Sequence, residues 1–175
     1  MTDSNIGFDL GRILGILGDV PVQAALAPDA TPTFVVGREH LSKVFELLRY
    51  EAGFETATFV TGVDHHPATP RFEVCWQFLS LAFNERVRLS TRIEADDAVV
   101  PTSTHLWPGN AFSERECYDM FGIRFEGHED LRRLLMPEEY GHHPLRKDFP
   151  HHGIEPDRLY REWDARRRAE PADAN

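Results

Sequence analysis

The stretch 114–128 reads ERECYDMFGIRFEGH and sets Glu114, Glu116, Asp119 and Glu126 among Arg115, Arg124, Cys117 and His128. Carboxylates at this density could serve as a general acid and base, and a cysteine beside a base could serve as a nucleophile. The spacing argues against both. Glu114 and Glu116 are two positions apart, so on a helix they point about 160° away from each other. Cys117 has no histidine base beside it and shares an arc with Tyr118, Met120 and Phe121, the setting of a buried, inert thiol. No catalytic, cofactor-binding or metal-binding role is assigned to these residues.

A helix accounts for most of the charge. Ser113 with Glu116 three positions later reads as a capping box, and Gly122 stands where a left-handed C-terminal cap is expected after Phe121. Arg115 and Asp119 are four apart and can pair on the helix surface. Glu114 falls within the apolar arc and therefore needs a partner. The expected candidates are Arg132, Arg133, Arg146 or a basic residue of another chain.

Other elements must position this helix. TFVV at 33–36 reads as a strand, and 38–50 reads as a helix with Leu41, Val44, Phe45 and Leu48 at helical spacing. Strands follow at 54–63, 71–78 and 87–93. In the second, Phe72, Val74, Trp76 and Phe78 alternate cleanly. The apolar set then passes to Leu79, Leu81 and Phe83, which predicts a bulge or a strand buried on both sides. Asn84-Glu85 is the expected hairpin turn. Arg86, Arg88 and Arg92 share one face of the last strand and read as a solvated row, with Glu73 and Gln77 for cross-strand pairing.

The expected fold is α+β: a helix packed on a mainly antiparallel sheet, with an extended C-terminal arm. Residues 1–30 read as a peripheral N-terminal helix and a Pro/Ala-rich connector. Residues 31–136 form the domain. Residues 137–175 read as an extended partner-binding arm, because their prolines and widely spaced apolar residues cannot build a core alone.

Composition narrows the function classes. A net charge of −10 excludes a general nucleic-acid binder, which needs a basic surface. Cys75 and Cys117 lie in unrelated contexts, which disfavours a structural zinc or an iron–sulfur cluster held by this chain. The pairs His65-His66, His142-His143 and His151-His152 read as loop histidines rather than metal ligands. The run from Ile13 to Leu17 is far short of a membrane span, and MTDSN lacks the basic start of a secretory signal, so a cytoplasmic protein with reduced thiols is expected.

From 114 to 150 the text closely resembles the C subunit, or 30-kilodalton subunit, of the proton-pumping NADH–quinone oxidoreductase, respiratory complex I. The matching pieces are ERE at 114–116, DMFGI at 119–123, FEGH at 125–128, LRRLLMP at 131–137 and PLRKDFP at 144–150. VVGREHL at 35–41, TGVD at 61–64, RFEV at 71–74 and WPGNAF at 107–112 extend it upstream. The signature residues carried over are Glu114, Arg115, Glu116, Asp119, Phe121, Gly122, His128, Arg132, Leu135, Pro144, Leu145, Arg146, Lys147 and Asp148.

The resemblance implies a structural subunit of the peripheral arm without a catalytic residue or cofactor of its own. The holoenzyme uses NADH, FMN, iron–sulfur clusters and quinone to support electron transfer and proton translocation. The implied partners are the D subunit (49 kilodaltons) and the B and I subunits. The implied place is the cytoplasmic side of the bacterial cell membrane, reached through the complex. The alternative is the same module in a membrane-bound hydrogenase or a quinone oxidoreductase fed by another donor.

Overall fold

The structure, a computed structural model, describes residues 9–27, 29–151, 153, 161–162, 165–166 and 168. Helix α1 spans Leu10–Leu17, opened by the Asp9 side chain, which accepts from the Arg12 N–H at 2.9 Å. Strands β1 (Val22–Leu26) and β2 (Pro32–Val36) follow. A 3₁₀ turn at Arg38–His40 leads into α2 (Leu41–Glu46), whose last turn widens into a π-turn over Leu47–Glu51. Strands β3 (Thr56–Asp64), β4 (Phe72–Ser80) and β5 (Glu85–Ile93) come next. The chain ends its regular part with β6 (Val99–Pro101), α3 (Asn110–Phe121) and β7 (Arg124–Glu126).

Five strands form one sheet in the order β1-β2-β5-β4-β3, and β6 and β7 form a short parallel pair. Only β2 and β5 run parallel in the main sheet, which makes it mainly antiparallel. Phe72, Val74, Trp76 and Phe78 of β4 and Val87, Leu89 and Ile93 of β5 are buried in the core. Phe45 of α2 meets Trp76 edge-on at 5.2 Å between centroids, and Trp107 packs on Phe45 and Phe78. Helix α3 lies against β3 at Gly62. A Cβ there would stand 2.8 Å from the Phe121 ring, so only glycine allows the approach. The α+β expectation therefore holds for helices packed on this sheet.

The arginine row is exposed at Arg86 and Arg92, as expected, while Arg88 is part-buried. Arg92 faces Glu73 in register and Arg88 faces Gln77, with Arg92 Nε 3.3 Å from the Glu73 carboxylate. Arg88 also reaches Asp29 at 2.7 Å.

Four expectations are corrected. The described part of 1–30 is not peripheral: Ile13 and Leu17 are fully buried, and the Pro/Ala-rich connector contains the edge strand β1. Two leucine-class side chains four apart on a short helix are enough to join the core. The face switch in β4 does not occur. Ser80 stays buried on the Phe78 side, while Leu81 and Phe83 leave the strand and are exposed in the turn. The irregularity sits instead in β3, between Ala57 and Phe59. The hairpin turn covers 81–84, with Asn84 at φ +51°, and Glu85 is already a buried strand residue. Glu85 holds Arg12, whose guanidinium lies 4.0 Å above the Phe83 ring, so the exposed phenylalanine helps fasten α1.

The fourth correction concerns the arm. Residues 137–151 do not extend away but fold over the end of α3 through turns, and Tyr140 is buried. Most of 152–175 lies outside the described residues. Among the described residues, no helix is long and apolar enough to cross a membrane.

Candidate functional site: the signature helix and the loop that wraps it

Helix α3 starts four residues earlier than the capping box predicts. Its N-cap is Gly109, and the turn before it is held by Asn110 N–H to Trp107 O (3.0 Å) and Ala111 N–H to Pro108 O (3.2 Å). Ser113 and Glu116 are consequently mid-helix and form no box. Pro108 and Gly109, ahead of the first turn, were the start signal in the sequence. At the other end the expectation holds. Gly122 adopts φ +77°, and its N–H returns to Tyr118 O at 2.8 Å.

The earlier start decides what Glu114 meets. It is fully buried, in line with Asn110 and Cys117, and faces the 102–104 loop. Its Oε1 accepts from the Ser103 N–H (2.8 Å) and the Ser103 hydroxyl (2.6 Å), and its Oε2 accepts from the Thr102 hydroxyl. Asn110 donates to Ser103 Oγ at 2.8 Å, and Thr104 donates to Thr102 Oγ1. Among the described residues no arginine touches this carboxylate, and neutral donors stand where a basic partner was expected. Burial pushes the Glu114 carboxyl above its ordinary range, with the Ser103 and Thr102 hydrogen bonds opposing.

Asp119 is the residue around which the signature loop closes. It is fully buried. Its Oδ2 accepts the N–H groups of Leu134 (3.0 Å), Leu135 (2.7 Å) and Met136 (2.9 Å), and Oδ1 meets Arg133 Nη1 at 2.6 Å. Burial alone would raise this carboxyl. The three N–H groups and the guanidinium overcome it and hold it below the usual range.

The expected Arg115–Asp119 pair is absent. Arg115 instead donates to the carbonyls of Arg132 (3.1 Å) and Arg133 (2.9 Å). Both residues of that pair thus grip the same loop from the helix. Arg133 also donates to His142 O at 3.1 Å, and His143 Nδ1 donates to Asp119 O at 2.9 Å. His128 Nε2 donates to Ala111 O at 3.1 Å, while its Nδ1 accepts from the Asp130 N–H.

The PLRKD segment docks on the same helix end. Leu145 N–H donates to Met120 O (3.1 Å), Arg146 Nε to Phe121 O (2.6 Å) and Lys147 N–H to Asp64 Oδ2 (2.8 Å). Arg71 grips Asp64 through Nε and Nη2 at 3.0 and 2.7 Å and Asp148 at 3.0 and 2.8 Å. Asp64 is buried. Burial opposes its charge, but Arg71 and two backbone N–H groups depress its carboxyl strongly. Asp64 and Arg71 were missed as site residues. The signal was there: Val60, Gly62 and Asp64 share a strand parity, so a carboxylate points to the core side of β3.

Glu116 and Arg132 stay exposed, as do the side chains of Leu135 (64%) and Leu145 (53%). His65 Nε2 lies 2.7 Å from the Glu73 carboxylate. His142 packs against Tyr140 and Phe149, and His152 lies outside the described residues. Among the described residues no group of three His, Cys, Asp or Glu is placed to hold a metal. Burial pushes the Cys75 thiol up to about 12 and the Cys117 thiol higher still, which leaves neither nucleophilic. The geometry can fasten a loop and a helix end. Each of Glu114, Asp119 and Asp64 spends its lone pairs on internal donors.

Residues 34–155 match the family model of the respiratory-chain NADH dehydrogenase, 30 Kd subunit. The chain is 47% identical over 146 residues to the second C-type chain of the NADH-quinone oxidoreductase of Rhizobium meliloti, covering 82% of this chain and 79% of that one. It is 41% identical over 125 residues to the corresponding NADH-quinone oxidoreductase chain of Saccharopolyspora erythraea, covering 70% of this chain and half of the relative's length. With the Rhodobacter capsulatus counterpart the identity is 43%, over 67% of this chain and 60% of the relative. A solved trypsin-resistant fragment (1-134) of Nqo5 superposes with a TM-score of 0.57 at 32% identity, covering 63% of this chain and 89% of that one. A chain of the archaeal membrane-bound sulfane sulfur reductase shares the fold, with a TM-score of 0.66 at 23% identity over 87% of this chain and 89% of that one.

Proposed function

The chain belongs to the respiratory-chain NADH dehydrogenase 30 Kd subunit family, and from that membership we propose that it is a non-catalytic structural and assembly subunit in the peripheral arm of a proton-translocating NADH–quinone oxidoreductase. It supports electron transfer from NADH to quinone by holding neighbouring subunits in place. The observation that carries this reading is the closure of its acidic signature. Glu114, Asp119 and Asp64 are buried and bound by donors of the same chain, which suits holding a surface in shape and leaves none of the three poised for proton transfer.

In this reading the chain carries no cofactor. NADH, FMN, iron–sulfur clusters and quinone belong to the other subunits. The D subunit, with B and I, supplies the contacts, and the chain sits peripherally on the cytoplasmic side of the cell membrane. The test is purification of the tagged chain from native membranes, with mass spectrometry of what accompanies it. Co-purified flavin- and NADH-binding subunits support the reading. A nickel-binding large subunit in their place would assign the chain to a membrane-bound hydrogenase, and recovery of the chain alone would overturn both.

A further inference from the structure

Six charged side chains (Asp64, Arg71, Asp119, Arg133, Arg146 and Asp148) meet around the last turn of α3, and their pairing leaves one of them over. Asp64 and Asp148 are both taken by Arg71, and Asp119 is taken by Arg133. Lys147 is exposed. Arg146 is only part-exposed, yet its guanidinium makes one hydrogen bond, from Nε to Phe121 O, and no ion pair among the described residues. Its Cζ sits 5.2 Å from the centre of the Phe72 ring, so the fork is held in a fixed plane.

The open side of this guanidinium is shaped. A Cβ added to Gly122 would lie 2.4 Å from Arg146 Nη2 and 2.6 Å from His143 Nε2, so the two nitrogens converge over the bare glycine. Beyond them lies an open cleft of about 240 Å³ bordered by His142, His143, Phe149, Pro150 and Asp148, whose carboxylate is already held by Arg71. Leu145, the residue before Arg146, is exposed, as is Leu135 beside the Asp119 anchor. Neither is a loose loop residue, because their backbone N–H groups are bound to Met120 O and to the Asp119 carboxylate. A backbone anchored in this way costs little ordering entropy when its apolar side chain docks on a partner.

We infer that Arg146 is the receptor for a carboxylate side chain of a neighbouring polypeptide, which enters the cleft beside Leu145 and is held by the free guanidinium N–H groups. This rests on the reading that the chain works inside an assembly. A guanidinium pre-set in one plane is matched to a carboxylate, which it can hold through two parallel hydrogen bonds. A small free anion is a poorer fit. The cleft is open to water, the exposed Leu145 offers an anion nothing, and the whole chain carries a net charge of −10. Burial and the nearby Arg71 charge both work against the Arg146 cation, and Asp148 and Asp64 offset them only in part. An added carboxylate would relieve that strain.

The experiment uses the complex purified from native membranes with Arg146→Lys in this chain. The variant keeps the positive charge and puts a primary amine at the site. A water-soluble carbodiimide then joins that amine to any carboxylate in contact with it, and the linked peptides are sequenced. The expected result is a cross-link from position 146 to an aspartate or glutamate of another subunit, missing from the unsubstituted complex. In parallel, Arg146→Gln should reduce the amount of this chain retained in the complex roughly tenfold, because the carboxylate opposite is left unpaired. Melting of the isolated Arg146→Gln chain checks that its fold survives. An Arg146→Lys complex that assembles but links position 146 only to carboxylates of its own chain, or to none, overturns the inference. So does full retention of Arg146→Gln. If the unsubstituted chain never co-purifies with oxidoreductase subunits, it is the functional reading that fails.

Discussion

The Glu114 carboxylate is buried with two hydroxyls and a backbone N–H and without a cation, and this sets its response to substitution. Glu114→Ala strands those donors, each costing about 1–3 kcal/mol when left unpaired, although the hydroxyls can turn away. A loss of about 2–4 kcal/mol is expected in chemical denaturation. Glu114→Gln is milder, because its amide oxygen still accepts from Ser103 and its NH₂ can donate to Thr102. At pH 7 it should stay within about 1 kcal/mol of the original. The diagnostic is the pH dependence. The folded carboxyl has a raised pKa, so its stabilising share is complete below the ordinary carboxylate range and is lost as pH rises through the raised value. Denaturation midpoints measured from pH 4 upward should flatten in Glu114→Gln. An unchanged slope would mean that this carboxyl carries no burial penalty.

At the scale of elements, the loop 131–137 has no regular secondary structure and is held by the Asp119 side chain and the Arg115 guanidinium. A single carboxylate oxygen collecting three successive N–H groups does for this loop what a ladder does for a strand. Asp119→Asn keeps the shape but halves the acceptor capacity and sets an NH₂ group against Arg133. The expected cost is about 3–5 kcal/mol, that of breaking a buried pair. It should show first as faster trypsin cleavage after Arg132 and Arg133 and faster hydrogen exchange at residues 134–136. Protection unchanged from the original would show that the loop is ordered by something else.

For the whole molecule, the segment after Pro137 closes the α3 end while the main core lies upstream, between Ile13 and Phe125. Removal of 137–175 takes away Arg146 from Phe121 O, Asp148 from Arg71 and the Lys147 N–H from Asp64. The truncated chain should still melt cooperatively by circular dichroism, at a lower temperature, and should fail to enter its complex. Normal assembly of the truncated chain would place the grip elsewhere. Acid should act on the same closure. The Asp64 and Asp119 carboxyls are depressed in the fold, so the stability they add is complete above about pH 4 and is lost as pH falls through their lower folded values.

The sequence by itself determined the strand and helix order from β2 to β5, the α+β class, the Gly122 cap and the placing of Glu73 and Gln77 opposite the arginine row. It also carried the family signature, on which the functional reading depends. These are local or near-neighbour facts, written in periodicity, in turn chemistry and in a string of residue types. Where the buried carboxylates find their donors was decided only by the tertiary structure. Nothing in the spacing 102–114 says that Thr102 and Ser103 rather than an arginine reach Glu114, because that depends on α3 starting at Asn110. Nor does the spacing bring Asp64 to Lys147 across 83 positions or make Ile13 part of the core. The same holds for the folded-back segment after Pro137. Its apolar residues are too sparse to build a core of their own, but the carbonyls of Asp119, Met120 and Phe121 at the end of α3 and the Asp64 carboxylate give it hydrogen bonds that only an assembled neighbour can supply.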